Sequence, residues 1–130
     1  MSKILIVDDE KSLRFTLSEF LLRDGYDVDT AENGMDALRQ IERSSYDLIV
    51  TDIIMSGMSG MELLQKVRKV SDSLQIIVMT GEPTVETAVE AVRLGANDYL
   101  TKPINKHSLL NTVRNAMQIK HLGDEKRLLE

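Results

Sequence analysis

Cysteine is absent from all 130 residues, which excludes a disulfide framework and thiolate chemistry. Long apolar runs are missing too, and no stretch approaches the roughly 20 residues that a membrane span needs. The N-terminus opens on a short strand-like run, Ile4-Leu5-Ile6-Val7, without the longer apolar segment of a secretory signal. The expectation is a cytoplasmic chain with no membrane partner. Positive charge is in deficit: 16 Lys and Arg against 21 Asp and Glu give a net charge of −5, which argues against direct nucleic-acid binding by this segment. There is no glycine-rich nucleotide loop of the Walker type. His107 and His121 are the only histidines. Neither has a second ligand at metal spacing, so both are expected at the surface.

What is present is an ordinary globular composition, 42% hydrophobic and 28% charged. A chain of this length is expected to form one domain with a core of its own. Short apolar runs alternate with amphipathic ones. Strands are expected at Ile4 to Val7, Tyr26 to Ala31, Tyr46 to Asp52, Gln75 to Thr80 and Asn97 to Thr101. The helices between them carry Leu13, Leu17, Phe20 and Leu21, then Met35, Leu38 and Ile41, then Met61, Leu64 and Val67. The fourth carries Val85, Ala88, Val89 and Val92, with Pro83 in its first turn. The last has Leu109, Leu110, Val113 and Met117 as its inner face. Gly25 and Gly95 stand where helix stops are expected. Strict alternation of this kind predicts an α/β fold, a doubly wound five-stranded parallel sheet sandwiched between two helical layers.

These βα units fill residues 1–119. Residues 120–130 read as a charged helical tail, or as a linker to an output domain. Ile119, Leu122 and Leu129 fall at a/d-like spacing, Lys126 interrupts it, and Gly123 weakens such a helix by about 1 kcal/mol.

The strand ends carry the chemistry. Asp8 and Asp9 follow the first strand, Asp52 ends the third, Thr80 ends the fourth, and Lys102 follows the fifth. In a parallel sheet the carboxyl ends lie on one edge, where open α/β sheets place their ligands. Three carboxylates brought together repel, and a hard divalent cation such as Mg2+, bound by oxygens, relieves that repulsion. With an ammonium from Lys102 and a hydroxyl from Thr80, the set suits phosphoryl transfer to Asp52 as nucleophile. Each residue has a plainer use. Asp8 and Asp9 could cap the next helix, Thr80 could bond to backbone, and Lys102 could be a surface lysine.

The motifs Ile6-Val7-Asp8-Asp9-Glu10, Asp52-Ile53-Ile54-Met55, Val78-Met79-Thr80-Gly81, Gly95-Ala96-Asn97-Asp98-Tyr99 and Lys102-Pro103, in this order, resemble the receiver domain of bacterial two-component response regulators. The resemblance implies the flavodoxin-like strand order 2-1-3-4-5. It implies that Asp52 accepts a phosphoryl group from a sensor histidine kinase or phosphotransfer protein. It implies that Asp9, Asp52 and the Ile54 carbonyl bind Mg2+, with Asp8 acting through water, and that Thr80 and Lys102 contact the phosphoryl oxygens. Tyr99 is implied as the aromatic that turns on activation, and Lys102–Pro103 as a cis peptide. One departure stands out: where the family usually has proline after the methionine, this chain has Ser56, which leaves that loop freer.

The reading that follows is a phosphorylation-dependent switch. Its output, of transcriptional type, would be controlled through the face built from the fourth helix, fifth strand and last helix. That face, expected to carry Glu90, Arg93, Asp98 and Arg114, is a possible homodimer contact. Such a chain catalyses its own phosphorylation and dephosphorylation and is not a multiple-turnover enzyme. Two other classes compete: a Mg2+-dependent phosphatase or hydrolase using an aspartyl phosphate, and an interaction-only relative that is never phosphorylated. The first needs a substrate pocket or cap, and no insertion is long enough to build one. The second is expected to lack an acid, the lysine or the hydroxyl, and none is missing.

Overall fold

The computed structural model describes residues 2–129, with side chains as far as Lys120. Strands and helices alternate throughout: β1 (Lys3–Val7), α1 (Lys11–Arg23), β2 (Asp27–Ala31), α2 (Gly34–Arg43), β3 (Leu48–Asp52), α3 (Gly60–Val70), β4 (Gln75–Thr80), α4 (Val85–Arg93), β5 (Asp98–Thr101) and α5 (Lys106–Leu129). All neighbouring strands pair in parallel, in the order β2-β1-β3-β4-β5. This is the expected α/β fold.

Strand side chains alternate between two cores because successive residues point to opposite faces. Ile4, Ile6, Leu48, Val50, Ile77 and Met79 pack with Leu17 and Leu21 of α1 and with Leu109 and Val113 of α5. Leu5, Val7, Ile49, Ile76 and Val78 pack against α2, α3 and α4 through Ala37, Leu63, Leu64, Val67 and Ala91. Covered on both faces, β3 and β4 are buried along their whole length.

Several boundaries depend on short polar residues. Asn33 caps α2 by accepting from the Asp36 amide at 2.8 Å, and Ser59 caps α3 through the Glu62 amide at 3.2 Å. Thr84 caps α4, and Thr87 closes a reciprocal capping box with it. Pro83 therefore precedes the cap and does not occupy the first turn. Gly95 follows α4 with φ of +105°, and a Cβ there would lie 2.8 Å from Arg68 Nε. Arg68 bonds the Gly95 carbonyl through Nε at 2.9 Å and Nη2 at 2.7 Å, the Asn97 Oδ1 at 2.8 Å, and the Ser71 carbonyl at 3.2 Å. This guanidinium fastens the end of α4 to the end of α3.

Two helical faces differ from expectation. Met35 is 52% exposed, because α2 meets the sheet through Gly34 and Ala37 and leaves Met35 on the outer flank. On α4, Val85, Val89 and Val92 are 81%, 52% and 67% exposed. This helix packs inward through Ala91, with Thr87, Ala88 and Leu94 half-buried beside it, so the valines form an outward stripe. His107 is exposed. The side chains of His121, Leu122 and Leu129 lie outside the described residues, and Ile119 is exposed. No helix among the described residues is long and apolar enough to cross a membrane.

Candidate functional site

Parallel register gathers the strand ends. Val7 pairs with Thr51, so Asp8 emerges beside Asp52. Asp52 pairs with Met79, next to Thr80. Thr80 pairs with Thr101, which delivers Lys102 to the same edge. The Lys102 amide donates to the Thr80 carbonyl at 2.7 Å, and the Lys102–Pro103 peptide is cis.

The loop after Asp52 closes tightly on itself. The Gly60 amide donates to the Ile53 carbonyl at 2.8 Å. A Cβ on Gly60 would lie 2.1 Å from the Asp52 carbonyl oxygen, well inside van der Waals contact, so only glycine fits. Gly57, with φ of +78°, takes a backbone conformation that side chains rarely adopt.

Four side chains converge. Lys102 Nζ lies 2.8 Å from Asp52 Oδ2 and 3.0 Å from Asp8 Oδ2. Asp8, fully buried, also accepts from the Glu10 amide at 2.8 Å. Its own carbonyl accepts from Arg14 Nη1 at 2.6 Å. Asp9 is exposed, and Asp8, Asp9 and Asp52 each place a carboxylate oxygen within 4.8 Å of the others. Two amides of the loop reach this cluster: Ile54 N–H donates to Asp52 Oδ1 at 3.3 Å and Ser56 N–H to Asp9 Oδ2 at 3.4 Å.

The electrostatics follow from burial and crowding. Burial pushes the Asp52 carboxyl above its ordinary value. The hydrogen bond and charge of Lys102 pull it down, and the Asp8 charge pushes it further up. Burial acts to lower the Lys102 pKa, but its bonds to Asp52 and Asp8 outweigh that, so the ammonium is held protonated above its ordinary value. One ammonium faces three carboxylates. An all-oxygen, mostly anionic donor set with one solvent-facing member fits a hard divalent cation, which keeps several waters.

The hydroxyls of Thr80 and Tyr99 bond to groups outside the cluster. Thr80 is buried, and its hydroxyl accepts from the Glu82 amide at 3.0 Å. The Tyr99 hydroxyl lies 3.1 Å from Thr87 Oγ1 on α4. Of the charges expected on the output face, Arg114 instead pairs with Asp24 at 2.9 Å, bridging α5 to the end of α1. Arg93 lines a groove with Gln65, Arg68 and Lys69, turned toward α3.

Sequence reasoning did not find Arg14, Thr87 or the Ser56 amide. A Thr-x-x-Thr spacing could have exposed the Thr84–Thr87 box. Nothing comparable marks a backbone donor.

The model of the response regulator receiver domain family matches residues 4–114. The transcriptional regulatory protein ZraR of Escherichia coli O157:H7 is 38% identical over 122 residues, 93% of this chain and 27% of that protein. The DNA-binding transcriptional regulator NtrC of Azospirillum brasilense is 36% identical over 114 residues, 88% of this chain and 24% of that one. The chain thus spans about a quarter of the length of these curated relatives. Among solved structures, the response regulator TrrA of Thermotoga maritima, in complex with Mg2+ and BeF, has a TM-score of 0.82 at 36% identity. That match covers 89% of this chain and 99% of that one. Register, acidic cluster and family match agree, and the chain belongs to the receiver domain family of response regulators.

Proposed function

We propose that this domain is a phosphorylation switch whose acceptor is Asp52, charged by a sensor histidine kinase or a phosphotransfer protein. The observation that carries the reading is the Lys102 ammonium bridging Asp8 and Asp52 at a cluster of three carboxylates. An Asp52 carboxylate oxygen bonds to phosphorus as the phosphorus–nitrogen bond of the phosphohistidine breaks. The histidine nitrogen keeps the electron pair, and a mixed anhydride remains on Asp52. Lys102 follows the charge onto the phosphoryl oxygens, and Thr80 offers its hydroxyl to another.

Asp9, Asp52 and the Ile54 carbonyl are the groups that would hold Mg2+, with Asp8 acting through water. The Mg2+ complex of TrrA supports carrying that cation over. When bound, it supplies neutralisation of the charge on the transferring group. Charge on Asp8 and Asp9 then no longer opposes an incoming anion.

In this reading residues 1–119 form the switch and residues 120–130 lead to an output domain. The relatives' names support a transcriptional output. The α4-β5-α5 surface carries the signal and pairs two copies, in the cytoplasm.

The test is intact mass after incubation with acetyl phosphate, with and without Mg2+. One phosphoryl group is expected on the wild type with Mg2+ and none on Asp52→Asn. The same base-labile adduct on Asp52→Asn would remove Asp52 as the acceptor.

A further inference from the structure

Two amides of one loop are aimed at two different acids. Ile54 N–H serves Asp52 at 3.3 Å and Ser56 N–H serves Asp9 at 3.4 Å. The loop is pinned at its base by Gly60, and Ser56, beyond that base, meets Asp9. Asp9 is exposed and follows a strand end, where a free carboxylate would sample several rotamers. We propose that the Ser56 amide is a positioning group for Asp9. It holds one carboxylate oxygen and leaves the second for the cation. The inference rests on the reading of Asp8, Asp9 and Asp52 as a Mg2+ site.

Only a residue other than proline offers this donor. A proline at 56 would stiffen the loop through its fixed φ but could not touch Asp9. Serine leaves φ free, and the tie to Asp9 restores order from the acid side. Loop and ligand therefore order each other: the amide removes rotamers from Asp9 before the cation arrives, which is affinity gained through preorganisation. A donor to a carboxylate is charge-assisted. Its length and exposure place this one at the modest end of such bonds.

The two ideas, stiffness and donation, predict opposite signs for one substitution. Mg2+ affinity is measured by NMR titration of the Ile54 and Gly57 amides in wild type, Ser56→Ala and Ser56→Pro. Ser56→Ala keeps the amide and is expected to bind Mg2+ as the wild type does. Ser56→Pro is expected to bind about two- to fivefold more weakly. Equal or tighter binding by Ser56→Pro overturns the proposal while leaving the Mg2+ site standing. Absence of Mg2+ binding by the wild type overturns both. Hydrogen exchange of the Ser56 amide gives a second readout that needs no proline variant. In the metal-free protein, Asp9→Ala is expected to speed that exchange at least twofold, because the acceptor is gone. An unchanged rate means that no such bond forms in solution and ends the proposal.

Discussion

The hydroxyls of Thr87 and Tyr99 lie 3.1 Å apart, and the same Thr87 oxygen closes the capping box at the start of α4. Tyr99 on β5 and the first turn of α4 are therefore joined through one atom. If Tyr99 turns when Asp52 is phosphorylated, the first turn of α4 must reorganise with it. Thr87→Val removes the joint and Thr87→Ser keeps it. Beryllofluoride with Mg2+ is expected to shift amides around Asp52, Thr80 and Lys102 in both variants. Shifts along α4 should shrink in Thr87→Val and persist in Thr87→Ser. Thr84→Ala, which opens the box without touching Tyr99, is expected to retain them. Equal α4 shifts in all variants would rule out the coupling.

Asp8 and Asp9 are adjacent but differently engaged. Asp8 is buried and bonded to Lys102 and to the Glu10 amide, whereas Asp9 is open to solvent. Asp9→Ala is expected to weaken Mg2+ binding more than Asp8→Ala. Mg2+ titration of both variants tests this, and equal losses refute it.

Burial disfavours the ionised form of Asp52 by more than Lys102 favours it, so its carboxylate is expected to weigh against stability near neutral pH. Burial raises its pKa, so over the interval between its ordinary value and the raised one the folded state holds a proton that the unfolded state has released. Stability falls as pH rises through that interval. Asp52→Asn should therefore raise Tm by a few degrees at pH 7, with the difference shrinking toward pH 3. Calorimetry of the metal-free protein at both pH values checks it. A lower Tm for the variant at pH 7 contradicts the sign.

Ile54 is 62% exposed, and its amide lies against Asp52. Its side chain has no polar group to orient an attacking water. Glu82, two residues beyond Thr80, is anionic when ionised and cannot donate. The phosphoryl group should therefore decay slowly. Ile54→Asn is expected to shorten its lifetime severalfold in a phosphate-release assay. An unchanged or longer lifetime is the contrary result.

The exposed stripe of Val85, Val89 and Val92 gives the α4 face an apolar centre. Arg114 is engaged with Asp24, so apolar contact takes precedence over the charge pairing expected of it from sequence. Beryllofluoride with Mg2+ should increase self-association of the wild type in sedimentation, and Val89→Glu should abolish the increase while keeping the NMR signature of activation. Full association by Val89→Glu excludes this stripe from the contact.

The sequence exposed most of the fold because each strand end coincides with a change in hydrophobic period. Leu48-Ile49-Val50 running into Asp52 is such a place, and Ile76 to Met79 running into Thr80 is another. It revealed the four converging side chains because a parallel sheet brings its carboxyl ends together whatever the helices do. It misled on α4 because valines at helical spacing look the same whether they face the core or solvent. The small residue Ala91, not the large ones, sets which side faces inward. The Arg114–Asp24 pair spans 90 residues and leaves no local trace. The Ser56 amide is a main-chain group, and every residue except proline has one.

The two ends of α4 are fastened by different means. At the C-terminal end, Gly95 receives two bonds from the Arg68 guanidinium. At the N-terminal end, the Thr84 and Thr87 hydroxyls close a capping box with each other's backbone amides, and Tyr99 joins it through its own hydroxyl. A nine-residue helix is about 13 Å long, so any tilt that pivots at Gly95 is felt most at its far end. A tilt of about 10° about that pivot carries Val85 by about 2 Å and leaves Leu94 nearly in place. Travel along the valine stripe is therefore graded, greatest at Val85 and least at Val92. A partner gripping the Val85 end reads the full stroke, and one gripping the Val92 end reads almost none.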